Sequence, residues 1–264
     1  MYDAIVFSAG GVRGVSHLGA WAALQRHQRE RVDRCTHFIG SSAGALAATT
    51  AATRADPERV FLDVILPFEV KEKVPWRGKN TTLDEFLDEF IPASVTFSDV
   101  FTETGNVLSI VSTNMSRRGV EIFDPFASPD MSVRSALSAS CAVPFFFPSV
   151  EIDGEIFVDG GISNPFPIDI ARERYGKKKI LGIMLEDTPQ KNNGANIFES
   201  ILDLLMWTKI TRGDLPSGAE IVELPGYPGV SSLDFDASKL EKIELFFAGY
   251  RTFQVEKKSH VISE

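Results

Sequence analysis

The chain has 264 residues, of which 44% are hydrophobic and 24% are charged, and these fractions are typical of a globular protein rather than a disordered, collagen-like or coiled-coil one. A chain of this length suits one or two domains and buries a core that needs no metal or disulfide to support it. Its 36 acidic and 27 basic residues give a net charge of -9, which argues against nucleic acid as a partner and against a basic surface for anionic lipid.

The chain begins with two predicted strand–turn–helix units. Ala4 to Phe7 is a short apolar run that stops before a glycine cluster, as a buried strand does when it enters a tight turn. From Gly14 onward, apolar residues recur at intervals of three and four, which predicts an amphipathic helix. The second unit has a strand over Thr36–Ile39, a turn over Gly40–Gly44 and a helix of small residues over Ala45–Thr53.

A helical region is predicted over Asp56–Phe101. Asp56 is placed to cap a helix that has Pro57 at its first position. A second helix begins at Thr82 and ends at Ile91, and the stretch Lys71–Asn80 between them is predicted to be a loop.

The rest of the chain continues the alternation of strands and helices. Val107–Thr113 and Lys179–Leu185 are predicted buried strands, Gln190–Gly194 is a linker, Ile197–Ile210 is helical, and Asp236–Tyr250 is a final helix. The apolar stripe predicted for that final helix consists of Leu240, Ile243, Phe246 and Phe247. Strands that alternate with helices predict an α/β fold with a mostly parallel sheet covered on both faces.

The strongest chemical signal is a G-x-S-x-G pattern over Gly40–Gly44, with Ser42 at its centre. In this pattern a sharp strand-to-helix turn forces the serine into a strained conformation, so the residues two positions away must be small. The predicted strand before it and helix after it supply the required context. By itself the pattern also fits an ordinary Gly/Ser-rich turn.

A second signal is the glycine loop Gly10–Gly14 (Gly-Gly-Val-Arg-Gly), which offers backbone N–H groups to an anion. As a dinucleotide fingerprint it is weak, because Ala9 stands at the first glycine position and no acidic residue closes a second strand roughly 20 residues on. The loop is not a Walker phosphate-binding loop either, because no Gly-Lys-Ser/Thr follows it. Beside a nucleophilic serine, the loop fits an oxyanion hole better. Arg13 either braces this loop, adds positive charge there or is an ordinary surface arginine.

The histidines give little support to a Ser–His–Asp triad. Only His260 follows Ser42, as the α/β-hydrolase order requires, and it lies four residues from the end of the chain. His27 lies in a charged helix end and His37 is expected well down the sheet. His17 lies near the glycine loop and is predicted to be a packing residue.

A carboxylate is the alternative base. Asp159 ends an alternating strand over Glu155–Val158 and precedes Gly160 and Gly161. An aspartate that caps a turn is the structural alternative, because Asp-Gly is a common turn signal. Upstream, Ser135–Pro144 is predicted to be a helix of small residues that packs beside the site.

Together these motifs resemble the patatin-like phospholipase family. The resemblance rests on the glycine loop Gly10–Gly14, the turn Gly40–Gly44 and the aspartate motif Asp159–Gly161, in the family's order. It is reinforced by Val15–Gly19, Ala139–Pro144, Phe147–Pro148 and Asn164–Pro167. It runs from about Met1 to Leu185. In two departures, Ala9 replaces the usual first glycine and Pro165 interrupts the usual asparagine-rich stretch.

The resemblance implies a single domain over residues 1–264 with a three-layer α/β/α fold, its core motifs in 1–185 and a helical extension over about 190–264. It implies Ser42 as nucleophile and Asp159 as base. The implied oxyanion-hole residues are Gly10, Gly11, Val12, Arg13 and Ala43, and the motif glycines are Gly14, Gly40, Gly44, Gly160 and Gly161. No metal and no organic cofactor are implied.

The implied substrate is a lipid ester, a phospholipid or lysophospholipid, presented at a membrane or micelle interface. The segment Pro144–Pro148 (Pro-Phe-Phe-Phe-Pro) either lines an acyl channel or packs in the core. A thioesterase or small-ester esterase using the same residues is one alternative, and a nucleotide-binding α/β protein is another. A catalytically silent lipid-binding protein is disfavoured because Ser42 and Asp159 are both present.

Cysteine content and targeting signals suggest a cytoplasmic protein. Cys35 and Cys141 are too few for a disulfide framework or a zinc site. The N-terminus has no basic segment of a signal peptide. The longest apolar stretches, Phe38–Ala52 and Ala136–Val150, fall short of a membrane span of roughly 18 residues. No pattern in the sequence predicts the oligomeric state.

Overall fold

A computed structural model of the protein describes residues 1–69, 81–176, 178–186, 219–227 and 229–254. Its strands are, in chain order, β1 (Ala4–Phe7), β2 (His37–Ser41), β3 (Val107–Asn114), β4 (Gly119–Phe123), β5 (Val150–Ile152), β6 (Glu155–Val158), β7 (Ile180–Leu185) and β8 (Ala219–Leu224). Its α-helices are α1 (Val15–His27), α2 (Arg29–Val32), α3 (Ala43–Ala52), α4 (Pro57–Arg59), α5 (Thr81–Phe90), α6 (Phe97–Thr104), α7 (Val133–Ser140), α8 (Ile168–Tyr175) and α9 (Lys239–Gln254). Two short 3-10 turns (Gly11–Gly14 and Gly160–Ile162) and a π-helical stretch (Val60–Ile65) complete the helical elements.

The described strands form one sheet in the order β5-β6-β3-β2-β1-β7-β8, with β4 also paired to β3. Strands β3, β2, β1, β7 and β8 run parallel to one another. Strands β4 and β6 are antiparallel to β3, and β5 is antiparallel to β6. The predicted α/β fold with a mostly parallel sheet is therefore confirmed, with an antiparallel hairpin at one edge.

Helices cover both faces of this sheet, and β1 shows why. Ile5 and Phe7 belong to a hydrophobic cluster that includes residues of α1, α3 and α9. Ala4 and Val6 belong to a second cluster that includes residues of α8. Successive side chains of a strand point to opposite faces, so the uninterrupted apolar run of β1 serves two buried layers. The arrangement is a three-layer α/β/α fold.

In the structure, the strands and helices of the first two units lie within a few residues of their predicted bounds. The strand at residues 4–7 is confirmed, and α1 begins where the helical period begins. The second strand runs from His37 to Ser41 and its helix begins at Ala43. Ser42 alone therefore joins strand to helix, which makes the turn tighter than the sequence pattern suggested.

Capping explains the start of the helical region. The Asp56 side chain accepts hydrogen bonds from the N–H groups of Glu58 (2.9 Å) and Arg59 (3.3 Å), with Pro57 at the first helical position. The predicted helix over Thr82–Ile91 is α5. Four elements were not predicted from the sequence: the strands β4, β5 and β8 and the helix α8. Strand β8 lies within residues 190–264, where a helical extension was expected, and it pairs with β7 at one edge of the sheet. The loop predicted over residues 71–80, the linker over 190–194 and the helix over 197–210 lie outside the described residues.

The buried face of α9 differs from the predicted stripe. Phe246 is buried as predicted, but Leu240 is 66% exposed and Phe247 is 46% exposed, whereas Lys242 and Leu245 are buried. The reason is the close crossing of α9 and α1, where a Cβ atom on Gly249 would lie 1.8 Å from the Ser16 carbonyl oxygen. Because the two helices approach most closely at Gly249, the face of α9 that carries this glycine packs against α1, regardless of the hydropathy of the other residues on that face.

The topology places the loops after β1 and β2 at the point where a site is expected. From β1 the chain proceeds to β2 and β3 on one side, and later returns to β7 on the other side of β1. In open α/β sheets, ligands bind beyond the carboxyl ends of the strands at such a reversal. The glycine loop and Ser42 follow the carboxyl ends of these two strands.

Candidate active site

Ser42 occupies a strained turn between β2 and α3. Its φ of 54° and ψ of -126° lie in a region that L-residues rarely adopt. A Cβ atom on Gly40 would lie 2.1 Å from the Gly44 carbonyl oxygen, and one on Gly44 would lie 2.4 Å from the carbonyl oxygens of Phe7 and Ser8. The chain reaches this conformation because both glycines permit backbone contacts that any side chain would block.

The antiparallel strand β6 brings Asp159 to Ser42. β6 runs antiparallel to β3 and ends at Val158, which pairs with Thr113 near the carboxyl end of β3. The next residue, Asp159, therefore comes level with the part of β3 where Val111 pairs with Ser41 of β2. As a result, Ser42 Oγ donates a hydrogen bond of 2.6 Å to Asp159 Oδ2.

The Asp159 carboxylate is held by short contacts in a buried environment. Its other oxygen, Oδ1, accepts a hydrogen bond of 2.7 Å from the Gly161 N–H. Gly160 lies against β3, where a Cβ atom would be 2.1 Å from the Val111 carbonyl oxygen. Burial raises the pKa of Asp159 to about 7, and the hydrogen bonds from Ser42 and Gly161 oppose this rise. A carboxyl group with such a pKa accepts and returns a proton near neutral pH.

Backbone contacts from α7 and β3 fix both residues. The Ser42 N–H donates to Ser140 Oγ at 2.9 Å, and the Asp159 N–H donates to the Ala142 carbonyl oxygen at 2.9 Å. Thr113 Oγ1 donates to the Asp159 carbonyl oxygen at 2.7 Å. The sequence predicted a helix of small residues beside the site, and α7 lies there, but the role of the Ser140 hydroxyl was not foreseen.

The glycine loop follows β1 as a 3-10 turn over Gly11–Gly14, and a Cβ atom on Gly14 would lie 2.3 Å from that of Ala43. The first N–H groups of such a turn have no partner within it. One of them, the Val12 N–H, donates to the Ser232 carbonyl oxygen at 3.0 Å. Gly11 has a φ of 52°, and Gly10 precedes the turn beside Leu185. The loop thus lies against Ala43, but the Val12 N–H is engaged in this conformation.

Arg13 is not a surface residue. Its side chain is 5% exposed, and the guanidinium donates a hydrogen bond to the Glu186 carbonyl oxygen. Glu186 directly follows β7, so Arg13 braces the glycine loop against the neighbouring strand. Burial excludes the alternative in which Arg13 lies at the surface, and the contact with Glu186 favours the one in which it braces the loop.

The hydrogen bonds of the described histidines go to other residues than Ser42. His17 is buried and its Nε2 contacts the Ser8 carbonyl oxygen at 2.9 Å, and burial lowers its pKa to about 4. His27 contacts the Tyr250 hydroxyl and His37 contacts the Thr36 hydroxyl. His260 lies outside the described residues. Among the described residues, the titratable group that contacts the Ser42 hydroxyl is therefore a carboxylate and not an imidazole.

An apolar pocket of about 760 Å³, open to solvent, begins at Ser42. Its walls come from the glycine loop, from α3, α5 and α9 and from the segment after α7, including Leu46, Phe86, Val143, Phe147, Phe235 and Lys242. The Lys242 ammonium donates to the carbonyl oxygens of Ile65 and Phe68. Phe235 and Lys242 were not identified from the sequence, because neither belongs to a recognisable motif.

The phenylalanine segment packs largely in the core. Phe146 and Phe147 both belong to the main hydrophobic cluster and both pack against Phe235, and Phe147 also lines the pocket. Phe145 is 48% exposed with a φ of 72°. Core packing therefore holds for both Phe146 and Phe147, and an acyl channel lined by Phe147 stays a prediction.

No three His, Cys, Asp or Glu side chains of the described residues come together as metal ligands would. Within the same part of the chain, no helix is both long enough and apolar enough to cross a membrane.

Comparison with known proteins connects this site to one family. The family profile described as patatin-like phospholipase matches residues 5–172. The probable lipid hydrolase 463L of Invertebrate iridescent virus 6 is 25% identical over 280 residues, which cover 98% of this chain and 90% of the viral protein. The patatin-like phospholipase domain-containing protein 4 of Homo sapiens is 30% identical over 173 residues, which cover 61% of this chain and 65% of the human protein.

The fold is also found in a solved structure. The crystal structure of VipD from Legionella pneumophila superimposes with a TM-score of 0.63 at 16% identity, over 96% of this chain and 66% of that chain. At this identity the likeness concerns the fold alone.

Proposed function

The chain belongs to the patatin-like phospholipase family and is a lipid acyl hydrolase, and on this premise we propose that it cleaves fatty-acyl esters of phospholipids or lysophospholipids with Ser42 as nucleophile and Asp159 as general base. The observation that carries the proposal is the hydrogen bond of 2.6 Å from Ser42 Oγ to Asp159 Oδ2. Ser42 lines an apolar pocket, so the reactive hydroxyl and the space for an acyl chain adjoin.

In the first half of the reaction, Ser42 Oγ attacks the acyl carbonyl carbon while its proton passes to Asp159 Oδ2. The tetrahedral intermediate then expels the alcohol, which takes the proton back from Asp159, and the acyl group remains as an ester on Ser42. In the second half, water attacks this ester as Asp159 accepts its proton. Release of the fatty acid returns the proton to Ser42.

The negative charge that develops on the carbonyl oxygen is stabilised by backbone N–H groups of Gly10, Gly11 and Ala43, the last at the N-terminus of α3. Arg13 contributes by bracing the glycine loop rather than by its charge. The Val12 N–H joins this set only when the Ser232 carbonyl oxygen, 3.0 Å away, moves aside.

The pocket favours a long acyl chain over a small ester. Its walls are almost entirely apolar, as in pockets that bury apolar ligands. We propose that the reaction takes place at a membrane or micelle surface, because lipid esters with long chains collect at such surfaces. We further propose that the protein has a single domain and reaches this surface from the cytoplasm.

Covalent labelling tests the proposal. A fluorophosphonate probe should form an adduct that peptide mass spectrometry maps to Ser42, and the adduct should be absent in Ser42→Ala but present in Ser41→Ala. The neighbouring Ser41 is the matched control because its hydroxyl is buried beside the site and makes no hydrogen bond to Asp159. Absence of the adduct, together with stabilisation by nucleotides, would instead favour a nucleotide-binding protein.

The substrate class is tested by the products. Mass spectrometry of a reaction with a phospholipid that carries two different acyl chains identifies the ester that is cleaved. Turnover of the phospholipid should exceed that of monoacylglycerol and acyl-CoA at equal acyl-chain length. A preference for acyl-CoA would make the protein a thioesterase on the same pair of residues.

A further inference from the structure

The Ser140 hydroxyl, on the last residue of α7, makes hydrogen bonds whose directions are fixed. Ser140 Oγ donates to the Val111 carbonyl oxygen at 2.6 Å, and it accepts a hydrogen bond of 2.9 Å from the Ser42 N–H. A carbonyl oxygen only accepts and an N–H only donates. The hydroxyl proton therefore points at Val111, and a lone pair faces Ser42.

This contact acts on the one backbone position that the proposed reaction most needs to fix. Ser42 alone connects β2 to α3, and its φ of 54° is a conformation that the surrounding structure must enforce. The Ser42 N–H is buried, so it needs a partner. Ser140 supplies that partner and ties it to β3, the strand that pairs with both β2 and β6.

The same segment also holds the other member of the pair. Two residues after Ser140, the Ala142 carbonyl oxygen accepts the Asp159 N–H at 2.9 Å. A shift of this segment would therefore change the separation between Ser42 Oγ and Asp159 Oδ2, now 2.6 Å. Ser140 itself is fully buried and absent from the pocket wall, so it acts on the pair and not on substrate.

We propose that Ser140 is a positioning residue, whose hydroxyl holds the Ser42 backbone in the strained conformation that brings Ser42 Oγ to Asp159 Oδ2. The inference rests on the proposed function, since it concerns the reactivity of Ser42. It predicts that loss of the hydroxyl lowers the rate of the chemical step and leaves the substrate pocket unchanged.

The test compares Ser140→Ala with Ser16→Ala. Ser16 is the matched control because its hydroxyl is also fully buried and donates to a carbonyl oxygen, that of Leu245, at 2.9 Å. Both variants lose one buried hydroxyl, but only the first loses a contact with Ser42. Three quantities are measured: kcat and KM with one chromogenic ester, the fluorophosphonate labelling rate of Ser42, and the pH at which kcat/KM is half-maximal.

For Ser140→Ala, kcat and the labelling rate should fall about tenfold or more, because small misplacements of a reacting group are costly, while KM stays within about twofold. The half-maximal pH should rise, since the hydrogen bond from Ser42 holds the pKa of Asp159 down. Ser16→Ala should leave all three at the wild-type level. Should Ser140→Ala not fold, Ser140→Cys keeps the volume with a weaker acceptor and should show the same changes to a smaller degree.

The proposal is overturned if the Ser140 variant that folds labels Ser42 and turns over ester at the wild-type rate, or if Ser16→Ala loses as much activity. If instead the proposed function is wrong, Ser42 of the wild-type protein forms no fluorophosphonate adduct, so the two failures are distinguishable.

Discussion

The Ser42 hydroxyl and the Asp159 carboxylate are 2.6 Å apart although 117 positions separate them along the chain. Both are almost completely buried, so solvent has little access to this contact. A hydroxyl that donates directly to a buried carboxylate has its proton acceptor in place without a histidine between them.

Loss of the nucleophile should abolish hydrolysis. In Ser42→Ala we expect less than a tenth of wild-type activity, because the covalent route is removed, and an unchanged fold, because alanine is smaller than serine. Steady-state assays with phospholipid and the melting temperature check both parts. The Ser41→Ala variant should keep wild-type activity, and a Ser42→Ala variant that retains substantial activity would contradict the assignment.

Loss of the base should be nearly as damaging. Asp159→Asn keeps the size of the side chain but replaces the proton-accepting carboxylate with an amide, so we expect kcat to fall at least about 100-fold, the lower end for general base catalysis. His27→Gln and His37→Gln serve as controls and should keep most of the turnover. An inactive histidine variant beside an active Asp159→Asn would point to a conventional triad.

Activity should depend on pH through Asp159. The carboxylate must be ionised to accept the Ser42 proton, and burial raises its pKa to about 7. We therefore expect kcat/KM to rise about tenfold per pH unit below pH 7 and to level off above it. The measurement is kcat/KM from pH 5 to pH 9 at constant ionic strength, and a flat profile below pH 7 is the contrary outcome.

Stability should depend on pH in the opposite sense. The pKa of Asp159 is about 7 in the folded protein against an ordinary value of 3.8. Between these values the folded state keeps a proton that the unfolded state has lost, so this group lowers the free energy of unfolding as pH rises. The Asp159→Asn variant lacks this effect. Its stability relative to wild type should therefore increase from pH 4 to pH 7, as urea titrations at several pH values will measure.

Arg13 should affect turnover more than binding. In Arg13→Ala the glycine loop loses its contact with Glu186, and we expect kcat to fall about tenfold with KM within about twofold, because the loop stabilises charge that develops after binding. Arg26→Ala is the control, since the Arg26 side chain on α1 is 61% exposed. Equal kinetics for the two variants would show that bracing by Arg13 is dispensable.

Local sequence determined one half of the site. The small residues around Ser42, the apolar strand before it and the helix after it each follow from short-range steric rules. These rules act between neighbours in the chain, and for that reason the turn and the glycine loop were predictable from residue types and spacing. The sequence offered Asp159 as a candidate base, because it follows a strand and precedes two glycines and the histidines are poorly placed, and the resemblance to a family assigned it to Ser42.

Tertiary structure decided how the other half is assembled. The position of Asp159 depends on β6 running antiparallel to β3 with Val158 opposite Thr113, and a strand of four residues does not encode its pairing partner. Three further features likewise join distant segments of the chain. The Val12 N–H donates to the Ser232 carbonyl oxygen, the Ser42 N–H donates to Ser140 Oγ, and the Lys242 side chain turns inward and is buried. Each of these contacts exists because packing of the whole chain leaves those groups together, and packing is a property of the folded molecule rather than of any local stretch of sequence.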